Sequence, residues 1–146
     1  MSQLIYDKSI VGPWIAQQTH MVWKPEGAQT IGLDRNGEII AGVWYEDYNH
    51  QSIMTHIAIN GRINSWFLHV IFHYPFVQLA LQKIIAPVLE ENIDSIRLVK
   101  KMGFIEEARL KNVHPTGDML FFVMDKQNCK YLGARYGKKQ LSTAAT

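Results

Sequence analysis

The segment SIMTHIAINGRINSWFLHVIFHYPF, residues 52–76, sets the architecture of the chain, and KIIAPVLEENIDSIRLVKKMGF, residues 83–104, repeats its arrangement. Each segment begins as an apolar strand, continues through a polar connection and ends as a helix. The first backbone N–H groups of a helix have no acceptor within the helix and lie at the positive end of its dipole. We therefore expect two neighbouring openings suited to a phosphate-bearing ligand, one at residues 60–65 and one at Asn92.

Capping residues indicate where the two helices begin and end. Asn64 or Ser65 can cap the first helix, and Pro75 should kink it because proline has no N–H to donate. In the second segment the strand ends at Asn92, the helix begins just after it, and Gly103 is expected to end the helix in a left-handed conformation.

The other strands and the first helix are predicted from turn residues, from proline and from the alternation of apolar and polar residues. Asn36-Gly37, between two alternating apolar runs, predicts a two-residue hairpin, since both central residues of a type I′ turn need positive φ. Residues 2–6 predict an edge strand, and residues 105–112 and 119–126 predict the last two strands. Pro13 is expected as the first residue of a short helix.

The residues HYPFVQLALQKIIAPVLEENIDSIRLVKKMGFIEEARLKN, 73–112, resemble the C-terminal half of the GNAT N-acetyltransferases. The likeness is greatest to the branch that includes ribosomal-protein N-terminal acetyltransferases and small phage-borne relatives. Its most specific part is Asn92, then Ser95 three residues later, then Gly103-Phe104 followed by two acidic residues. The resemblance implies an α/β fold in which a mixed, mostly antiparallel sheet has helices on both faces. Two splayed central strands would hold acetyl-coenzyme A between them.

The resemblance also implies where the parts of the cofactor lie. The pantetheine arm is expected at Asn92, and the thiol near Ser95. The backbone of the splayed strand, at Ile57 and Ile59, would contact the cofactor and stabilise the oxyanion. The pyrophosphate is expected on the loop of Asn60, Gly61, Arg62, Ile63, Asn64 and Ser65. The family's loop carries further glycines, whereas this loop has one.

Acetyl transfer to an amine needs a base with a pKa near the working pH, and histidine is the usual choice. Strand alternation places His56 on the same face as Met54 and Ala58, towards the cleft if Ile57 and Ile59 face the core. A histidine on a strand is more often a satisfied core residue. Glu46 and Asp47 are the alternative catalytic residues, or they bind a cationic acceptor.

A general acid for the departing thiolate is the second catalytic requirement. Many family members use a tyrosine in the second helix, and the matching position here is Val99. Ser95 is therefore the candidate, with a water as the alternative. Asn92 and Ser95 are also explained as an N-cap and a first-turn polar residue.

Composition bounds the remaining possibilities. The 146 residues are the size of one domain, and 47% hydrophobic residues argue against disorder. We expect a single acyltransferase domain over residues 1–132 and a basic tail over 133–146. The sequence shows no membrane segment and no secretory signal, and the single Cys129 fits a reducing compartment, so a cytoplasmic protein is expected.

Two rival interpretations remain, and a metal site is not expected. The basic tail, Arg62, Trp14 and Trp23 would suit a nucleic-acid-binding or base-modifying protein, although a net charge of +2 does not favour it. The missing glycines and tyrosine would suit a non-catalytic interaction module. His69 and His73 lie one helical turn apart, but no third ligand is evident, so no metal is expected. The acceptor stays unassigned, and a homodimer stays open.

Overall fold

A computed structural model describes residues 2–133, which form seven strands and three α-helices in one mixed α/β unit. The strands are β1 Ser2–Ile5, β2 Gln29–Arg35, β3 Glu38–Glu46, β4 Ser52–Ile59, β5 Lys83–Leu89, β6 Ile105–His114 and β7 Gly117–Asp125. The helices are α1 Lys8–Thr19, α2 Ser65–His73 and α3 Ile93–Met102. The expected basic tail, apart from its first residue, lies outside the described residues.

The seven strands form one sheet in the order β1-β2-β3-β4-β5-β7-β6. Its one parallel pair within the described chain is β4 with β5, and all other neighbours are antiparallel. The β4–β5 ladder runs only from Ser52↔Lys83 to Met54↔Ile85. Beyond that point the two strands diverge, which confirms the expected splay at the centre of the sheet.

The sheet carries a separate apolar cluster on each face. On one face α2 and α3 bury Phe67, Phe72 and Val99 against the strands. On the other face α1 buries Val11 and Ile15 against Trp44. Helices on both faces of a mostly antiparallel sheet confirm the predicted fold class. None of the described helices has the length and apolar character that crossing a membrane requires.

The predicted hairpin between β2 and β3 is confirmed. Arg35 pairs with Glu38, so the connection contains two residues. Both have positive φ, 54° at Asn36 and 86° at Gly37, as a type I′ turn requires. The hairpin places Glu46 at the end of β3, next to β4.

The prediction for the start of α1 is wrong. The helix begins at Lys8, and the Asp7 side chain caps it by accepting from the Ser9 N–H at 3.0 Å. Pro13 therefore lies inside α1. The cap formed by Asp7 and Ser9 lies before Pro13 in the sequence. This cap, and not the proline, determines where α1 begins.

Pro75 ends α2 rather than kinking it. The α-helix stops at His73 and continues as a wider turn over Tyr74–Gln78. The missing Pro75 N–H would leave the Ile71 carbonyl without its helical donor. The buried Tyr45 hydroxyl donates to that oxygen at 2.6 Å, and burial raises the pKa of Tyr45 well above 10.0, so the hydroxyl stays a donor.

Candidate active site between the splayed strands

The gap between β4 and β5 exposes the backbone of β4 to a ligand. The Asn60 N–H donates to the Ile40 carbonyl of β3 at 2.7 Å. Because N–H groups along a strand point alternately to its two neighbours, the N–H groups of Ile59 and Ile57 are directed to the β5 side. There the ladder has already ended. The structure thus leaves these predicted residues able to donate to a bound molecule.

A small cavity of about 10 Å³ lies in this gap. It has room for about one water molecule. His56 and Ile57 of β4 line it opposite Pro87 and Val88 of β5. The other side chains around it are those of Thr19, Met21, Asn92, Ser95 and Val99, together with Thr55 and Ala86. Four predicted residues, His56, Ile57, Asn92 and Ser95, therefore meet at one cavity.

His56 is held on two sides by β3. Its Nε2 lies 2.5 Å from Glu46 Oε2, and its ring lies 4.4 Å from that of the fully buried Trp44, centroid to centroid. His56 itself is only 6% exposed. Its Nδ1 is buried and has no hydrogen-bond partner within the described residues. Two of the predicted catalytic residues thus form one pair rather than being alternatives.

Asn92 has two amide atoms with different surroundings. Its Oδ1 accepts from the Ser95 N–H at 3.2 Å and so caps α3. Its Nδ2 is buried and has no partner among the described atoms. A buried donor without an acceptor costs about 1–3 kcal/mol, and this one belongs to a residue that lines the cavity. The Asn92 side chain therefore caps α3 through its Oδ1 atom, and its Nδ2 atom remains available as a donor.

The first turn of α3 brings Ser95 to the cavity, and Val99 follows one turn later. Val99 is 2% exposed and packs in the core cluster of the α2–α3 face. The helix ends as predicted: Gly103 has φ 109°, and the Phe104 N–H donates to the Val99 carbonyl at 3.0 Å. Ser95 is the one hydroxyl that this helix presents to the gap.

The loop between β4 and α2 forms the second opening. Asn64 caps α2 by accepting from the Phe67 N–H at 3.0 Å, which confirms one of the two predicted caps, and Ser65 is the first helical residue. Gly61 is exposed, with φ 110°, and a Cβ added there would meet no described atom within 4 Å. Arg62 is also exposed, and the side chain of Ile63 packs at the edge of the core cluster.

Sequence reasoning missed a second guanidinium at this loop. Arg35, at the end of β2, donates through Nη2 to the Arg62 carbonyl at 2.9 Å. It comes from a hairpin distant in sequence, and no local pattern could have indicated it. Arg35 and Arg62 together make the loop cationic, which suits a pyrophosphate.

The N-terminal region contributes side chains to the lining of the gap. Thr19 at the end of α1 and Met21 in the following loop line the cavity. Trp23 in the same loop packs edge-on against Trp44, with ring centroids 4.9 Å apart. Asp47 is exposed beyond the end of β3 and is not among the cavity residues. Both tryptophans invoked for nucleic-acid stacking, Trp14 and Trp23, pack on the α1 cluster.

A larger cavity, of about 510 Å³, lies elsewhere, between β1–β2 and α2. His69, His73 and Tyr74 line it, with the two histidine rings 5.2 Å apart. Burial, with His69 nearby, lowers the pKa of His73. None of the predicted site residues lines this cavity, so we place the chemistry in the smaller gap.

The hydrogen-bonding groups of the gap fit acetyl-coenzyme A, although the cavity as it stands has room for only about one water molecule. The amides of a pantetheine arm need donors and acceptors along a strand, and the gap offers the N–H groups of Ile57 and Ile59 and the spare Asn92 Nδ2. The cationic loop and the start of α2 offer donors to a pyrophosphate. The fit rests on donors that the fold itself leaves without partners.

No protein-family model matches the sequence, and no curated protein matches it. Solved structures match its fold. A mutant of spermidine N-acetyltransferase from Vibrio cholerae superposes with a TM-score of 0.69 at 18% identity, over 92% of this chain and 98% of that one. The chain has the GNAT fold.

Two further solved structures also match the fold of this chain. Mutant forms of the spermidine/spermine N-acetyltransferase from Vibrio cholerae superpose with a TM-score of 0.67 at 16% identity, over 95% of this chain and 99% of that one. A probable acetyltransferase superposes with a TM-score of 0.58 at 14% identity, over 69% of this chain and 63% of that one. Identities this low show the GNAT fold alone, and activity has to be argued from the site.

Proposed function

We propose that the protein is an N-acetyltransferase that moves the acetyl group of acetyl-coenzyme A to a primary amine within a ternary complex. The observation that carries the proposal is the meeting of His56, Asn92 and Ser95 at one cavity in the gap between β4 and β5. A base, a spare amide donor and a hydroxyl come from three separate parts of the chain. Core packing alone does not require these three groups to converge.

The chain would hold the cofactor along the gap. The pyrophosphate would lie at residues 60–65, beside Arg35 and Arg62, and the pantetheine arm would accept from the Asn92 amide. The bound cofactor supplies an activated acyl group on a thiol that is a good leaving group. The strand N–H groups at Ile57 and Ile59 would donate to the thioester oxygen as negative charge develops on it.

Proton transfer would be divided between two residues. The amine nitrogen attacks the thioester carbonyl carbon, and its proton passes to His56, directly or through one water. The carbon–sulfur bond then breaks, and the thiolate takes a proton from Ser95 or from water. The products are an N-acetylated amine and free coenzyme A. The small size of the cavity favours a water between His56 and the amine.

The acceptor is proposed as a primary amine, as in the polyamine-acetylating neighbours. Glu46 is already paired with His56 at 2.5 Å. Asp47, exposed beyond β3, is the nearby carboxylate for which we propose contact with the cation of the acceptor. Its role would then be binding rather than catalysis.

Steady-state acetyl transfer tests the proposal, with release of the coenzyme A thiol measured over a panel of primary amines. We expect His56→Ala to lower kcat by about 10²- to 10⁴-fold, the usual contribution of a general base. His50→Ala is the matched control, because His50 lies in the exposed β3–β4 connection and bonds Tyr48. A His56→Ala protein with unchanged kcat and an unchanged pH profile would refute the assignment of the base.

A further inference from the structure

The geometry points to Glu46 as a positioning residue that fixes the tautomer of His56, so that Nδ1 is the atom that accepts the proton of the acceptor amine. This inference rests on the proposed acetyl transfer, and it adds the reacting atom and the residue that presents it. Glu46 would act through His56 and would not touch the substrates.

The register of the sheet brings the two side chains together. In the β3–β4 ladder Trp44 lies opposite His56, and Glu46 lies opposite Met54. Glu46 and His56 are therefore diagonal neighbours on one face of the sheet, a separation that a long side chain spans. Two regular strands set this geometry, so it does not depend on a flexible loop.

Hydrogen-bond chemistry fixes which ring nitrogen carries the proton. An ionised carboxylate can only accept, so the 2.5 Å contact requires Nε2 to donate to Glu46 Oε2. In the neutral ring the lone pair is then on Nδ1. Nδ1 is buried and has no partner in residues 2–133. Nδ1 of His56 is thus an acceptor without a described donor, and His56 lines the same cavity as Asn92 and Ser95.

The surroundings of the pair keep this arrangement in place. The Glu46 side chain is 13% exposed and that of His56 is 5% exposed, so each would lose hydration without gaining a partner if the contact broke. The Trp44 ring lies against the imidazole, and Trp23 lies against Trp44. Among the described side chains that line the cavity, His56 is the one titratable group, and Glu46 is its charged partner.

The proton balance of the step is complete. The amine proton is transferred to Nδ1 as the carbon–nitrogen bond forms, which makes His56 an imidazolium. The Nε2 proton stays on the ring, and the Glu46 carboxylate stabilises the new positive charge without taking a proton. After the product leaves, Nδ1 returns its proton to water. The thiolate takes its proton from Ser95 or from water, and when Ser95 donates, water returns a proton to its oxygen, so the cycle needs no further reactant than water.

Nitrogen NMR of the ¹⁵N-histidine-labelled protein tests the tautomer without any substrate. We expect the neutral His56 ring to show a protonated Nε2 and an unprotonated Nδ1 in the unaltered protein. Glu46→Ala should turn this single tautomer into a mixture. Glu38→Ala, on the exposed start of β3, should leave it unchanged. A protonated Nδ1 in the unaltered protein would overturn the inference.

Kinetics test the positioning role. Glu46→Gln should lower kcat about tenfold or more, with little change in KM, because the imidazolium that forms during the step loses its negative partner. Glu46→Asp should restore part of the loss. The double variant with His56→Ala should be no slower than His56→Ala alone.

The outcomes separate this inference from the proposed function. Additive losses in the double variant, or an unchanged kcat in Glu46→Gln, would overturn the positioning role. An unaltered protein that transfers no acetyl group would overturn the proposed function. Without acetyl transfer, the inferred proton transfer to Nδ1 would also be overturned. The NMR result would still decide whether Glu46 fixes the tautomer of His56.

Discussion

Replacing Asn92 by aspartate should separate the two roles that its amide combines. The Oδ1 atom caps α3 through the Ser95 N–H, and a carboxylate oxygen can accept the same bond. The buried Nδ2, which has no partner among the described atoms, becomes an oxygen that cannot donate. The structure therefore predicts that Asn92→Asp keeps the helix cap and loses the contact to the pantetheine arm.

The magnitudes make the two effects distinguishable. Aspartate caps a helix about as well as asparagine, and its charge at the helix N-terminus adds about 0.3–1 kcal/mol of stability. One lost hydrogen bond weakens binding by about 0.5–1.5 kcal/mol, which is about 2- to 13-fold in the Kd for acetyl-coenzyme A. Asn92→Ala should instead lower the free energy of unfolding by about 0.5–2 kcal/mol and also weaken binding.

The assays are urea unfolding for stability and a titration with acetyl-coenzyme A for affinity. Asn128→Asp is the control, because it makes the same chemical change at an exposed residue outside the gap. The reasoning is refuted if Asn92→Asp binds acetyl-coenzyme A as tightly as the unaltered protein. It is equally refuted if Asn92→Asp unfolds as readily as Asn92→Ala.

Three further predictions concern backbone conformation and charge. Gly103→Ala should cost about 1 kcal/mol or more in the free energy of unfolding, since φ is 109° there; an unchanged urea midpoint would contradict the left-handed cap. Gly61→Val should weaken acetyl-coenzyme A binding, because φ of 110° is strained for a residue with a Cβ and the side chain obstructs the loop; an unchanged Kd would count against the pyrophosphate site. The Asn112 N–H and then Arg109 lower the pKa of Asp118 below 3.8. A lowered pKa in the folded state gives stability that is fully present above the unfolded value and is lost as the pH falls through the folded one. Acid titration of Asp118→Asn should therefore show a smaller loss of stability below about pH 4 than the unaltered protein, and identical acid transitions would contradict the contact.

Much of the fold followed from local signals that tertiary packing did not have to override. Asn36-Gly37, Asn64 and Gly103 each specify a turn or a cap through their own backbone preferences. Strand alternation correctly separated His56 from Ile57. The start of α1 was missed because Asp7 is a stronger local signal than Pro13, although proline is common at the first helical position.

The site was harder to predict because its contacts join distant parts of the chain. Glu46 and His56 were named separately, but only the register of β3 against β4 shows that they form one pair. Arg35 reaches the loop at Arg62 through a contact across 27 positions. Met21 closes the gap from a loop without periodicity, which no pattern in its own segment indicates.

Calorimetric titration of the protein with acetyl-coenzyme A tests the central claim most directly. It should be performed at two temperatures, because a binding enthalpy can vanish at one of them. We predict saturable binding of one molecule per chain, weakened in Gly61→Val and in Asn92→Asp and unchanged in Asn128→Asp. Absence of binding heat at both temperatures, or binding that none of these replacements alters, would contradict a cofactor site between β4 and β5.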